Sequence, residues 1–459
     1  MASSKTLNAE NLQALGAARL ADLLMEVSTG NAVAQRRLRL ALAGNTGTAE
    51  VVRAVTKRLG SIGRAKTWLN WQKIRPFLAD LDAQRRAVLD VVAPSDPREA
   101  FELLWRLVGC AEGVLARSDD GGGRLLAAFQ AAAQDLGPLA QRADLPPEDL
   151  AGRTVRALAS GGHGAWAELV PILSSQLGRP GLALVRDGMR AWKAKAGAGP
   201  PGGMERRAGL VLQQVADALG DVDGFIEQFD ARAREAPMVA ASIGRRLLDA
   251  GRPTEAWAAL ERVEAGQRNR APAEWDEARV AVLDALGRGD EAQAFRWARF
   301  SATLNAAHLR AYLKKLPGFD DVDAEQQAIA HALAFPDVHQ ALAFLVAWPD
   351  MRTASELVLG RAQVLNGDLF ELLSPAADAL DVRHPLAATL LRRAMIGFTL
   401  SHARSSRYRH AARHLADCRA AAARIENFGA VPDHPAYERA LRTVHGRKAG
   451  FWQEVDGSG

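Results

Sequence analysis

Three side chains of the kind that bind transition metals recur along one predicted helix near the C-terminus. His410, His414 and Cys418 are each four residues apart in the stretch RHAARHLADC. On a helix this spacing could present two imidazoles and a thiol along one side. A zinc site usually needs a fourth ligand, and this helix offers none. Alternatively, Cys418 is a small core residue flanked by surface histidines, and we expect neither a metal nor a cofactor.

A second group with chemical potential is the stretch SIGRAKTWLNWQKIRPF, which combines cations and tryptophans and contains no carboxylate. Lys and Arg can contact phosphates and Trp can stack on bases, so this composition suits a nucleic-acid surface. Trp68 or Trp71 would be the stacking side chain. The candidate contact residues are Arg53, Lys57, Arg64, Lys66, Lys73 and Arg75.

The competing interpretation of this stretch is structural. Trp71 belongs to an apolar row at positions 71, 74, 78 and 81, which is the spacing of a buried helix face. We therefore expect the tryptophans to pack in the core while the charges face water. Pro76 disfavours the α conformation at Arg75, so a kink or a new helix start is expected there.

Charge is concentrated in two segments. Between Val27 and Ala79 ten basic residues accompany one acid, Glu50, giving +9. Between Val382 and Ala416 there are seven arginines and no acid, giving +7. Since the whole chain carries +5, the remaining residues carry −11. Such a distribution favours an acidic partner, and whether the two segments form one surface stays open. The candidate contact residues of the second segment are Arg404, Arg407, Arg409 and Arg413.

The composition is that of a globular chain, with 459 residues, 48% of them hydrophobic and 24% charged. No apolar run approaches the roughly 18 residues of a membrane-spanning helix, and the N-terminus lacks a secretory signal. Cys110 and Cys418 are the only cysteines, which fits a reducing compartment. We expect a cytoplasmic protein without a membrane partner. Its oligomeric state cannot be inferred.

Helical periodicity extends over most of the chain, as in the stripe of Val51, Val55, Leu59 and Ile62, and the alternation typical of strands is nearly absent. This pattern predicts an all-α fold. The Gly/Pro-rich stretch KAGAGPPGGME interrupts it. We divide the chain into an N-terminal helical domain (1–195), a linker or loop (196–204) and an α-solenoid of helical hairpins (205–459).

A weak repeat supports the solenoid. Gly251, Arg252, Glu255 and Ala256 recur 36 residues later, and SSRYRHAARHL is a looser copy. The second set is Gly287, Arg288, Glu291 and Ala292. The period is close to the 34 residues of the tetratricopeptide unit. Residues 237–425 resemble a degenerate tetratricopeptide-like solenoid. A generic α–α solenoid is equally compatible, because the aromatic positions of the consensus are only partly filled.

A further resemblance covers most of the chain. The stretches SKTLNAENLQALGAARLADLL, RLGSIGRAKTWLNWQKIRPFLADLDAQRRAV, RYRHAARHLADC and HGRKAGFW resemble an uncharacterised bacterial family of all-helical proteins. The C-terminal part is also similar to helical regions that accompany SWIM-type zinc fingers, although the zinc-finger motif itself is missing. The resemblance implies a helical fold and assigns no catalytic residue.

No catalytic constellation is recognisable: there is no G-x-S-x-G elbow, phosphate loop or calcium loop. We expect a non-enzymatic interaction protein, a helical-repeat scaffold or adaptor whose basic surfaces take an acidic protein partner. One alternative is a nucleic-acid-binding protein that uses residues 27–79. The other is a metal-binding protein or enzyme that uses the helix of His410, His414 and Cys418.

Overall fold

Helices joined by turns and loops make up the residues that the computed structural model of the protein describes, which are 6–160, 164–195 and 203–457. The all-α prediction is confirmed. Within these ranges no β-strand forms, and an isolated bridge joins Leu69 to Ser118. None of the described helices combines the length and the apolar character that crossing a bilayer requires.

The chain divides into two compact units, Met1–Arg270 and Ala271–Gly459. The sequence-based division instead falls at residues 196–204. Residues 196–202 of this linker lie outside the described residues. The helices Leu169–Lys195 and Gly203–Leu219 pack against each other. They contribute to a single hydrophobic core that extends from Leu40 to Val215, so both belong to the first unit.

The first unit contains sixteen described helices. They are α1 (Ala9–Gln13), α2 (Ala17–Ser28), α3 (Ala32–Thr46), α4 (Thr48–Arg64), α5 (Trp71–Ala87), α6 (Pro97–Gly109), α7 (Ala111–Leu115), α8 (Arg124–Gln134), α9 (Leu136–Arg142), α10 (Pro147–Ser160), α11 (Leu169–Lys195), α12 (Gly203–Leu219), α13 (Val222–Ile226), α14 (Pro237–Asp249), α15 (Pro253–Glu261) and α16 (Ala265–Arg268). A π-helical turn, Val88–Val92, follows α5, and a 3-10 turn, Ala233–Glu235, precedes α14.

The second unit contains eleven described helices, and its buried side chains include one core cluster from Phe300 to Met395 and another from Ile396 to Trp452. The helices are α17 (Ala273–Ala285), α18 (Gly289–Thr303), α19 (Ala306–Leu313), α20 (Asp320–Leu333), α21 (Val338–Ala347), α22 (Met351–Arg361), α23 (Phe370–Leu380), α24 (Pro385–Ser401), α25 (Tyr408–Ala422), α26 (His434–His445) and α27 (Ala449–Asp456). The 3-10 turns Ala362–Val364 and Ser405–Arg407 precede α23 and α25.

The two copies of the sequence repeat have the same local geometry. Gly251 and Gly287 both have a φ of 72° and end a helix in the left-handed conformation. The N–H of the following arginine, Arg252 or Arg288, donates to the carbonyl five residues earlier, at 2.8 and 2.9 Å. Each arginine also pairs with the glutamate three residues later, and the next alanine is fully buried. The repeat is therefore a tight connection between two helices.

The same helix-ending geometry occurs just before SSRYRHAARHL, the looser copy of the repeat, where an alanine takes the left-handed position. Ala403 has a φ of 50°, and the N–H of Arg404 donates to the carbonyl of Thr399 at 3.0 Å. Ala411, the alanine of SSRYRHAARHL that corresponds to Ala256, is buried in α25. An alanine in this conformation gave no signal in the sequence, because left-handed caps are usually glycine.

Candidate functional site

The two tryptophans of the N-terminal basic segment lie at the protein surface. Trp68 is 55% exposed and Trp71 is 68% exposed. All ten tryptophans fall within the described residues, and the other eight are buried or half-buried. The expectation that Trp68 and Trp71 pack in the core is therefore wrong, although Ile74 and Leu81 of the same row are buried.

Trp71 is exposed because it is the first residue of α5. Asn70 caps this helix, and its side-chain oxygen accepts from the N–H of Lys73 at 3.2 Å. No earlier turn of the helix exists to cover an indole at this position. The helix then continues from Trp71 to Ala87 through Pro76, so a new start near Arg75 does not occur.

Trp68 is exposed because the next residue is anchored in the core. Leu69 is buried, its N–H donates to the carbonyl of Arg117 at 2.8 Å, and its own carbonyl accepts from Asp119 at 3.1 Å. Successive side chains of an extended segment point in opposite directions. The inward direction of Leu69 therefore directs the Trp68 indole to the solvent.

Arg117 also holds the loop through its side chain. Its guanidinium donates to the carbonyl of Thr67 at 2.6 Å and to that of Ile62, at the end of α4, at 3.4 Å. Burial lowers the pKa of Arg117. The segment between α4 and α5 is thus tied by side-chain and backbone bonds to a residue about fifty positions later in the chain.

Most cations of the N-terminal segment face solvent without an ion-pair partner among the described residues. Three of the ten are paired: Arg36 and Arg58 contact the buried carboxylate of Asp80 at 3.4 and 2.7 Å, and Arg53 pairs with Glu50. The seven exposed and unpaired cations are Arg37, Arg39, Lys57, Arg64, Lys66, Lys73 and Arg75. We call the last five of these, together with Trp68 and Trp71, the basic–aromatic surface.

The second basic segment is more neutralised than its sequence suggests. Arg392 and Arg393 are buried in α24, and Arg392 donates to the carboxylates of Asp378, at 3.1 Å, and Asp381. These acids precede the segment in the sequence, so a charge count over 382–416 missed them. Arg407 is half-buried and pairs with an aspartate at 2.7 Å. The exposed arginines without an ion pair among the described residues are Arg383, Arg404, Arg409 and Arg413.

The metal-ligand candidates on α25 lie in two different environments, a cleft and the core. His410 and His414 line a cleft of about 300 Å³, together with Arg407 and Arg413, and burial lowers the pKa of His414. Cys418 instead lies in the core, where burial raises the pKa of its thiol to about 12. Across 6–160, 164–195 and 203–457, no group of three or more His, Cys, Asp or Glu side chains could hold a metal ion.

A groove of about 820 Å³ lies within the first unit, lined by residues of α10, α12, α13 and α14. Leu210 and Met238 are exposed along it, and the buried side chain of Phe225 also lines it. Arg246 lies 3.8 Å from the centre of that ring and donates to Asp217 at 2.8 Å. The arginine is thus held between an aromatic face and a carboxylate.

Comparison with known proteins gives one match. The family of unknown function DUF6880 matches residues 2–454. The chain belongs to this family. The expectation of an uncharacterised all-helical family is confirmed. No curated protein matches this DUF6880 chain, and no solved structure matches it.

Proposed function

We propose that this chain is a non-enzymatic binding protein for an acidic macromolecule and that the basic–aromatic surface is the binding site. One observation supports this most directly: Trp68 and Trp71 are exposed beside cations that have no carboxylate partner. Tryptophan and arginine are the residue types that contribute most to binding energy at interfaces. A cluster of unpaired cations attracts a polyanion over a distance of about 8–10 Å at moderate salt.

We further propose that helical hairpins of the chain form a scaffold of the tetratricopeptide-like, solenoid type. The support is local: the turns at Gly251 and Gly287 share the same φ value and the same hydrogen-bond pattern, and each contains an Arg–Glu ion pair. Arrays of such hairpins present long surfaces to other macromolecules. The groove beside Leu210 and Met238 adds exposed apolar side chains to such a surface.

The proposal can be tested with two defined polyanions, heparin and poly-glutamate, and two variants that each lose five cations. The first variant changes the basic–aromatic surface: Lys57→Gln, Arg64→Gln, Lys66→Gln, Lys73→Gln and Arg75→Gln. The matched control changes five exposed arginines of the second unit: Arg383→Gln, Arg404→Gln, Arg409→Gln, Arg413→Gln and Arg439→Gln. Both variants lose the same net charge, so only the position of the charge differs.

We expect the unmodified protein to be retained on heparin and to bind labelled poly-glutamate, with affinity that falls as salt rises. The first variant should elute at lower salt than the control variant. If the protein binds neither polyanion at low salt, the proposal is wrong. If both variants lose affinity equally, binding follows total charge, and the assignment to the basic–aromatic surface is overturned.

A further inference from the structure

We infer that the partner of the basic–aromatic surface is single-stranded nucleic acid, with Trp68 and Trp71 stacking on unpaired bases. This inference rests on the proposed function and specifies its ligand. A single strand offers two kinds of group to such a surface, which are phosphates for the cations and aromatic faces for the indoles. An acidic polypeptide supplies the charge and offers no regular series of flat rings.

The exposure of the indoles is the first argument. A tryptophan buries about 150–250 Å² when it packs, so leaving two of them in water forgoes a large stabilisation. Neither Trp68 nor Trp71 contacts another ring or a guanidinium among the described residues. Their faces are therefore available to a ligand.

The position of the cations relative to the indoles is the second argument. Lys66 and Trp68 are two residues apart in the loop between α4 and α5, and both are exposed. Trp71 and Arg75 are four residues apart on α5, so they share one face of that helix. Each indole thus has a cation beside it, which places a phosphate contact next to each stacked base.

The chemistry of α5 argues against a lipid surface. Interfacial helices insert a continuous apolar face that carries residues such as Trp, Phe and Leu. After Trp71 the exposed residues of α5 include no large apolar side chain: they are Gln72, Lys73, Arg75, Pro76, Ala79 and Arg86. One acid, Asp119, is exposed beside the loop, where it pairs through its backbone with Leu69. The carboxylate of Asp119 would repel a phosphate placed directly above it, so we expect the backbone of the bound nucleic acid to follow the cations.

The test measures fluorescence anisotropy of labelled oligo-dT and oligo-U of about fifteen nucleotides, within the site sizes usual for single-strand binding proteins. A duplex of equal length, poly-glutamate and anionic phosphatidylserine vesicles are the competing ligands. The variants are Trp68→Ala with Trp71→Ala, the conservative pair Trp68→Phe with Trp71→Phe, and the five-cation variant. The control is Phe319→Ala, which removes a ring that is 88% exposed beside two aspartates.

We expect both single strands to bind more tightly than the duplex, whose base faces are hidden. Loss of both indoles in the alanine pair should weaken single-strand binding by roughly 30-fold or more, since stacking contributes about 1–3 kcal/mol per base. The phenylalanine pair should retain part of this affinity, and Phe319→Ala should retain all of it. Each lost phosphate contact should reduce the slope of log K against log salt by about 0.7, whereas loss of the indoles should leave the slope unchanged.

The outcomes separate the inference from the function on which it rests. If poly-glutamate or vesicles bind through the five cations while oligonucleotides do not bind, the proposed function stands and the nucleic-acid inference is overturned. The inference is also overturned if the alanine pair binds single strands as tightly as the unmodified protein, or if duplex and single strand bind equally. Absence of binding to every polyanion overturns both.

Discussion

The guanidinium of Arg117 donates a 2.6 Å hydrogen bond to the carbonyl oxygen of Thr67, the residue that precedes Trp68. A second donor nitrogen of the same side chain lies 3.4 Å from the carbonyl of Ile62. The arginine follows α7 and the two carbonyls flank the loop after α4, so the contact fixes the loop to a different part of the first unit. The exposure of Trp68 is thus a consequence of tertiary structure.

The first prediction concerns this contact. Arg117→Met removes the donors for one loop carbonyl, that of Thr67, and one carbonyl at the end of α4, that of Ile62. It should reduce the free energy of unfolding by about 1–2 kcal/mol. It should also weaken binding at the basic–aromatic surface, because the loop loses its anchor. The control is Arg268→Met, since Arg268 donates to the carbonyls of Glu261 and Val263, both at 2.7 Å. Denaturant titration should show similar destabilisation of the two variants. Heparin retention should show weaker binding only for Arg117→Met. Equal retention of the two variants would contradict this role.

The second prediction concerns the electrostatic environment of the exposed indoles. Iodide should quench the protein's tryptophan fluorescence more strongly than caesium, because cations surround Trp68 and Trp71 and the other tryptophans are buried or half-buried. The Trp68→Phe, Trp71→Phe protein should lose most of this difference. Quenching titrations at low and high salt provide the check, since screening should bring the two quenchers together. Equal quenching at low salt would show that the cations are not near the rings.

The third prediction concerns the left-handed residues that close the hairpins. Gly251→Ala should destabilise the first unit by about 1–2 kcal/mol, because an L-residue is disfavoured at a φ of 72°. Ala403→Gly should instead leave the second unit equally stable or stabilise it by up to about 1 kcal/mol, since relief of left-handed strain offsets the added chain entropy. Unfolding by denaturant measures both changes. Destabilisation by Ala403→Gly that matches Gly251→Ala would refute the prediction.

The fourth prediction concerns the buried arginine of the second basic segment. Arg392→Met should lower the free energy of unfolding by about 1.5–3 kcal/mol, because the largely buried carboxylate of Asp381 would lose one charged hydrogen-bond donor and keep only Arg424. The control, Arg404→Met, changes an exposed arginine and should alter stability by less than about 0.5 kcal/mol. Thermal and chemical unfolding of the two variants test the difference. Similar effects would mean that the buried pairs do not stabilise α24.

The fifth prediction concerns pH. Burial lowers the pKa of His414, and Asp417 only partly opposes this. The folded state holds this imidazole neutral while the unfolded chain protonates it below the ordinary value of 6.5, so stability should fall as pH drops through 6.5. His414→Gln should reduce that slope. Part of the slope should remain, because the pKa values of His434 and His445 are also lowered by burial. Unfolding titrations of the two proteins across this range measure the slopes, and equal slopes would contradict the prediction.

Sequence periodicity predicts the interior of helices better than their ends. The stripe of Val51, Val55, Leu59 and Ile62 is buried as its spacing predicts. Trp71 follows the same rule in sequence but begins its helix, where no preceding turn or neighbouring element covers it. The Asn70 cap was the available signal, because a cap fixes which residue comes first.

Contacts between distant segments could not be predicted from the sequence. Nothing near Arg117 indicates that its side chain reaches Thr67, since the partner is a backbone carbonyl and carries no residue identity. The charge of the second segment was overestimated for a related reason. Arg392 and Arg407 find their carboxylates on segments that the charge count did not include. Local composition gave the candidate residues, whereas tertiary packing determined which of them face solvent.

The anchored loop between α4 and α5 also bears on the kinetics of association. Its backbone is held by Leu69 and Arg117 in the free protein, so the chain entropy of these residues is lost when the protein folds and not when a ligand arrives. A partner that docks on Trp68 therefore meets a preorganised receptor. Encounter would be limited by diffusion and charge, and differences in affinity among ligands would arise mainly from how long each complex persists.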